Sequence, residues 1–243
     1  MIKLKVLIFL LIIPISLNGS HKVYIIHGFG GFRFAMNKIE NSIKNEKYQT
    51  VNYGYKSFKD LDTIGKQLYL RIKESHVDTV SFVTHSMGAL LVRSMLQYSA
   101  NDKYFPKIFR IIMIAPPNKG TEIADFYSTF GLINYFFGPN VQYMKTDSDS
   151  YANRLPKPYD SEIGIIAGIR GKKHGYNLFM EGDNDGGIKP EKTKIGIEKD
   201  YITVIGQHNF LLRKKYVSKL VIEFLKYGSF VSKQTVKITT TNE

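Results

Sequence analysis

From His21 onward, short apolar runs of strand-like character alternate with longer runs of helical spacing, and this alternation limits what the chain can fold into. Lys22–His27 (KVYIIH) reads as a buried strand, and Phe34–Lys47 reads as a helix. Val51–Tyr55 alternates with period two, and Asp60–Ser75 carries Leu61, Ile64, Leu68, Leu70 and Ile72 on roughly helical spacing behind Asp60, a predicted N-cap. Val77–Thr84 and Met87–Ser99 form the next strand and helix, and Ile108–Ala115 is a fourth strand closed by Pro116 and Pro117. Ile163–Ala167 and Tyr201–Ile205 supply two more strands, and Val217–Tyr227 a final helix. Strands that alternate with helices bury both faces of a mostly parallel sheet, so the expected class is α/β, without internal repeats. At 243 residues one domain over 21–228 suits the length.

The two ends differ from this body. Lys3 and Lys5 precede an apolar run from Val6 to Leu17, broken only by Pro14 and Ser16, and Asn18-Gly19-Ser20 is small and polar. This is the layout of an export signal over residues 1–20, and an apolar run of about 12 residues is short of the roughly 20 that span a membrane. The expectation is an exported protein, periplasmic or secreted after cleavage, with a retained membrane anchor as the alternative. Residues 229–243 read as a polar tail. The chain has 34 basic and 21 acidic side chains, a net charge of +13. Removing Lys3 and Lys5 with the signal leaves +11. That surface suits peripheral association with an anionic membrane, while the scattered lysines form no nucleic-acid recognition pattern, so no nucleic-acid partner is expected. The absence of cysteine excludes disulfides, a thiol nucleophile and thiolate metal centres. Oxygen and imidazole chemistry remains.

Ligand sites in such sheets lie where strands end and helices begin. Thr84-His85-Ser86-Met87-Gly88 sits at one such junction, where a sharp turn exposes a serine hydroxyl. A serine needs a base to take its proton and an acid to hold that base. Only His174 and His208 follow Ser86, and His208, just after the last strand, is preferred over His174 in the Lys- and Gly-rich stretch at 171–175. The acid belongs to Gly182-Asp183-Asn184-Asp185-Gly186-Gly187. Asp185 is preferred because glycines follow it, and Asp183 is the second candidate, as acid or as an anchor of the loop. The oxyanion donors are expected from the Phe29 amide in His27-Gly28-Phe29-Gly30-Gly31 and the Met87 amide beside the nucleophile. The same glycines fail as a phosphate loop, because Arg33 stands where a further glycine is needed and no G-K-[ST] follows. The carboxylate loop fails as a calcium hand, because Lys192 falls where glutamate is required. No cofactor or metal is expected.

These motifs resemble those of α/β-hydrolases, in particular small bacterial lipases, serine esterases and the GPI inositol-deacylase-like esterases. HGFGG at 27–31, THSMGA at 84–89, APPNKGTEIAD at 115–125, IGIIAG at 163–168, GDNDGGI at 182–188 and GQHNFL at 206–211 follow the order seen there. The resemblance implies an α/β-hydrolase fold without a large cap domain, and it supports Asp185 as the acid. Thr84 departs from the usual first glycine of the elbow, and Gly187 from the bulkier residue usual after the D-G pair. The implied activity is hydrolysis of carboxylic esters, lipid esters among them, with acyl transfer or a catalytically inactive membrane-surface module as alternatives. The aromatic segment from Thr121 to Tyr143 places Ile123, Phe126, Tyr127, Phe130, Ile133 and Phe137 at helical spacing. It is expected to face the core, or else to form a short flap over an acyl pocket.

Overall fold

A computed structural model describes residues 20–129 and 139–231. The leader, Phe130, Ile133, Tyr135, Phe136, Phe137 and residues 232–243 of the polar tail lie outside the described residues. Six strands form one sheet: β1 (His21–Ile26), β2 (Gln49–Tyr53), β3 (Thr79–His85), β4 (Lys107–Ile114), β5 (Glu162–Ile169) and β6 (Asp200–Ile205). Their order is β2-β1-β3-β4-β5-β6 and all neighbours are parallel. The expected α/β class is therefore the observed one.

The strands are apolar on both faces because helices cover both. Tyr24 and Ile26 of β1, Phe82 of β3 and Ile111 and Met113 of β4 pack under α2 (Leu61–Lys73) and α3 (Gly88–Ser99). Val23, Ile25, Val83, Ile112 and Ile114 pack on the other face, together with Ile39 and Ile43 of α1 (Asn37–Asn45). Val217, Val221 and Phe224 of the last long helix, Lys215–Tyr227, complete that layer. Its C-terminus closes at Gly228, which takes φ +67° as helix-ending glycines do, and the Phe230 ring beyond it packs tilted against that of Phe224, centroids 5.1 Å apart. Packing thus continues to Phe230, inside the segment expected to be a polar tail.

Asp60 caps α2 as expected, its carboxylate accepting from the Thr63 amide at 2.8 Å. Two elements differ from expectation. The helix expected over 34–47 begins as a 3₁₀ turn, Arg33–Met36, before α1. The second strand is Gln49–Tyr53 rather than 51–55, because its register is set by pairing from Lys22↔Gln49 to Ile26↔Tyr53. Gly54 and Tyr55 leave the sheet, and the Tyr55 ring stacks on His27 at 4.2 Å with its hydroxyl donating to the His27 carbonyl at 2.7 Å.

The longest connection, from β4 to β5, carries α4 (Glu122–Ser128), α5 (Asn140–Tyr143) and α6 (Tyr151–Arg154). Here the core-facing reading of the aromatic stripe is corrected. Ala124 is the only residue of α4 that is buried, whereas Phe126 and Tyr127 are exposed. The expected helical spacing holds over Ile123, Phe126 and Tyr127 of α4, but of these Phe126 and Tyr127 face outward rather than into the sheet core.

The chain steps from β1 outward to β2 and then back across β1 to β3, so the direction of strand addition reverses between β1 and β3. The ends of those two strands are where His27-Gly28 and Ser86 emerge, which is the crevice that open α/β sheets offer to ligands.

Candidate active site

Ser86 occupies a sharp turn between β3 and α3. Its φ is +51°, a left-handed conformation that costs a non-glycine residue energy and is held here by the Ser86 amide donating to the Ile114 carbonyl at 2.9 Å. Gly88 makes the turn possible. A Cβ there would stand 2.7 Å from the His27 carbonyl oxygen and 2.8 Å from that of Ile26. Thr84 is tolerated at the other flank because it is fully buried, its hydroxyl donating to the Ile112 carbonyl at 3.4 Å.

The three expected side chains converge. His208 Nε2 lies 3.0 Å from Ser86 Oγ, and His208 Nδ1 lies 2.8 Å from Asp185 Oδ2. A carboxylate only accepts, so Nδ1 carries the proton and Nε2 is left to accept from the serine hydroxyl. Asp185 is wholly buried, and its charge is compensated by this bond and by the amides of Gly187 and Ile188, which donate to Oδ1 at 2.8 and 2.7 Å. Asp183, the second candidate for the acid, is placed elsewhere. Its two oxygens accept from the Arg170 and Gly171 amides at 2.8 and 2.9 Å, which ties the loop to the end of β5. His174 is exposed and is not brought to Ser86.

Two glycines shape the acid's surroundings. A Cβ at Gly168 of β5 would stand 2.6 Å from the Asp185 Cβ, and one at Gly187 would stand 3.0 Å from the His208 ring. The bulkier residue expected at 187 would therefore push on the imidazole, and glycine lets the ring lie against the loop backbone.

The loop after β1 crosses directly over the nucleophile. A Cβ at Gly28 would be 2.9 Å from the Ser86 Cβ, so Phe29 follows at the edge of the reacting centre. Gly30 is fixed by donating its amide to Ser57 Oγ at 2.9 Å, and the His27 ring donates through Nδ1 to the Gly28 carbonyl at 2.9 Å. Burial lowers the His27 pKa below its ordinary value. Met87 stands at the N-terminus of α3, where helix amides lack partners within the helix.

No curated protein matches the chain by sequence. Residues 16–124 match a family described as "Putative serine esterase (DUF676)". A mature lipase of Bacillus licheniformis superposes with a TM-score of 0.66 at 18% identity, covering 87% of this chain and 93% of that one. A lipase of Staphylococcus hyicus gives 0.60 at 11% identity, covering 86% and 95%, and a gene product of Listeria innocua gives 0.58 at 17%, covering 86% and 94%. The chain has the α/β-hydrolase fold. The family match ends within α4, so the β1 loop and the turn at Ser86 lie inside it, whereas Asp185 and His208 lie beyond it.

Sequence reasoning passed over two residues that organise this site. Asn184, fully buried, holds the 177–186 loop: its side chain accepts from the Asn177 and Gly186 amides at 2.9 and 3.0 Å and donates to the Asn177 carbonyl at 3.1 Å. Its position between the two aspartates was the available signal. His85 was read only as part of the elbow. Its Nε2 lies 3.2 Å from the His208 carbonyl and its ring centroid 4.8 Å from that of His208. Because a carbonyl accepts, His85 donates through Nε2, while its Nδ1 lies towards Gly28, 3.1 Å from where a Cβ there would be. The His208 amide in turn donates to the Asp185 carbonyl at 2.7 Å. Both main-chain groups of His208 are thus held, one by the acid's residue and one by the nucleophile's neighbour. Burial, reinforced by the nearby His208, lowers the pKa of His85 well below 6.5.

Two outcomes are expected. Asp185→Asn, which leaves the wrong tautomer of His208 favoured, should lower ester turnover by roughly 10³–10⁴. Asp183→Asn should cost less than about tenfold, since it disturbs only two amide contacts. Turnover rates of the two purified variants on one ester decide the ranking, and the reverse order would assign the acid to Asp183. His85→Phe should lower kcat more than it alters KM, with His85→Gln, which keeps a donor, recovering most of the loss. Between pH 6.5 and its lowered folded pKa, His85 binds less proton folded than unfolded, so acid destabilises the fold there. Urea midpoints measured from pH 7 to pH 5 should fall less steeply for His85→Gln than for wild type.

Proposed function

We propose that this α/β-hydrolase cleaves carboxylic esters, with lipid esters as its substrate class, through an acyl-enzyme on Ser86. The observation that carries the reading is the continuous contact from Ser86 Oγ through His208 to the buried Asp185 carboxylate, at 3.0 and 2.8 Å. His208 Nε2 takes the serine proton as Oγ bonds to the acyl carbon, and Asp185 holds the resulting imidazolium. The amides of Phe29 and Met87 receive the carbonyl oxygen as it becomes an anion, in a place prepared by the Gly28 crossing and the start of α3. The ester C–O bond then breaks, and His208 returns the proton to the leaving alkoxide. Water, deprotonated by His208, attacks the acyl carbon and frees the acid and Ser86.

Apolar space beside the site supports a lipid ester. A cavity of about 280 Å³ next to Phe29 is lined by Ala124, Val141 and Met144 among others. A wider depression of about 790 Å³ beside β2 is less suited, since Thr50 and Asn52 within it spend their side-chain donors on Glu40. The staphylococcal and bacillar lipases and a Legionella pneumophila phospholipase share the fold, the last with a TM-score of 0.55 at 17% identity. The leader pattern at 1–20 supports export, and the +11 that remains after its loss supports contact with anionic membrane surfaces. Among the described residues no helix is long and apolar enough to cross a membrane.

A fluorophosphonate probe should form an adduct that peptide mass locates on Ser86 and that Ser86→Ala abolishes. Folded protein that takes up no probe would overturn the serine mechanism. Intact-mass analysis of the protein after export should show about 20 residues missing from the N-terminus, and a species that retains Met1 would replace the cleaved signal with an anchor.

A further inference from the structure

The loop after β1 contains a turn whose peptides are tied down on both sides of Phe29. Gly31 donates its amide to the Gly28 carbonyl at 3.2 Å, which closes the turn over 28–31. Gly30 takes φ +62°, the left-handed value that the third position of a type II turn needs. The peptide that joins Gly28 to Phe29 is held by its carbonyl, which also accepts from His27 Nδ1 at 2.9 Å. A trans peptide points its N–H opposite to its C=O, so these contacts fix the direction of the Phe29 amide. The next peptide, from Phe29 to Gly30, is held by its N–H, which donates to Ser57 Oγ at 2.9 Å. Turns of types I and II differ by a flip of that central peptide, and Ser57 is the contact that opposes the flip.

The grip on this turn comes from one short connection, residues 54–60 between β2 and α2. Tyr55 holds the approach to Phe29, through its stacking on the His27 ring and the bond from its hydroxyl to the His27 carbonyl. Ser57 holds the exit. Ser57 is in turn placed from a distant part of the chain. The Lys59 amide donates to the Lys56 carbonyl at 3.0 Å, which folds the connection around Ser57, and Asn140 Nδ2 donates to the carbonyls of Ser57 and Lys59 at 2.6 and 2.7 Å. Both neighbours are carbonyl oxygens, so it is the Asn140 amide nitrogen that faces them. Tyr143, also of α5, donates its hydroxyl to Asp60 Oδ1 at 2.7 Å, on the carboxylate that caps α2. Asn140 is wholly buried and Ser57 3% exposed, so each bond they make is sheltered from water, where a lost partner cannot be replaced by solvent.

We propose that Ser57, backed by Asn140, is a positioning residue for the oxyanion donor at Phe29. This inference rests on the ester-hydrolase reading above and on the Phe29 amide as one of its donors. With the Gly28 carbonyl held on one side and the Gly30 amide on the other, Phe29 sits between two fixed peptides. Without Ser57 one of the two is released. The oxyanion forms only as the acyl carbon becomes tetrahedral, so a donor allowed to move costs turnover and leaves binding of the uncleaved ester alone.

The test measures kcat and KM for 4-nitrophenyl butyrate with wild type, Ser57→Ala, Ser57→Thr and Asn140→Ala. Fluorophosphonate labelling of Ser86, carried to completion, counts active sites in each preparation. Affinity for butylboronic acid is measured beside them, because its tetrahedral adduct with Ser86 places an oxygen where the oxyanion forms. Ser57→Ala should lower kcat per labelled site roughly 10–100-fold, less than the loss of a donor outright, and should weaken the boronic acid by a similar factor. KM should stay within about twofold, the pattern of a contact made only in the transition state. Ser57→Thr, which keeps the oxygen, should recover most of both losses, and Asn140→Ala should repeat the Ser57→Ala pattern in weaker form. A loss confined to the number of labelled sites, a loss carried by KM, or an unchanged affinity for the boronic acid overturns the positioning role and leaves the hydrolase reading standing. If Ser57→Ala yields no folded protein, Asn140→Ala is judged by the same criteria. Wild type that neither labels nor turns over the ester overturns the hydrolase reading itself, and this inference with it.

Discussion

The turn at Ser86 brings three strand ends within bonding distance, and the rest of the site is arranged around it. Its left-handed backbone is unfavourable for serine in isolation, so it persists only because β4 supplies the Ile114 carbonyl and because Gly88 lets α3 approach the last carbonyls of β1. The same approach puts Gly28 against the Ser86 Cβ. Strain at Ser86 is thus sustained by sheet pairing and helix packing well outside the turn, and a change in either would be felt at Oγ.

Around this turn the geometry is prepared rather than assembled on binding. His208 is held by both ring nitrogens and by both main-chain groups. The Asp185 carboxylate is buried with three hydrogen bonds that aim it at Nδ1. Asp183 and Asn184 hold the backbone that presents it. Such a supporting shell fixes the side chains to within the small displacements that transition-state contacts tolerate. The apolar region, by contrast, is built on the β4–β5 connection, where α4 is pinned at its base and exposes its aromatic face. The Ser86–His208–Asp185 contacts are thus tightly held, while the region around α4 is the more open part of the molecule's surface beside them.

The sequence by itself determined the class of fold, the positions of the strands to within about two residues, and the junctions that carry Ser86 and His208. These are local properties: period two against helical spacing, a glycine two residues after a serine, a histidine just past the last strand. It favoured Asp185 over Asp183 through the glycines that follow, but it did not show what holds each aspartate in place. Tertiary structure separates them, since Gly168 of β5 makes room for Asp185 while the amides of Arg170 and Gly171 capture Asp183. The same holds for His85, whose partner is 123 residues away, and for the aromatic residues of α4. Helical spacing states that Phe126 and Tyr127 share a side of the helix, but whether that side meets a core or water depends on what the sheet leaves uncovered. Local periodicity sets which elements form, whereas the pairing of distant groups is decided only when the sheet brings their backbones together.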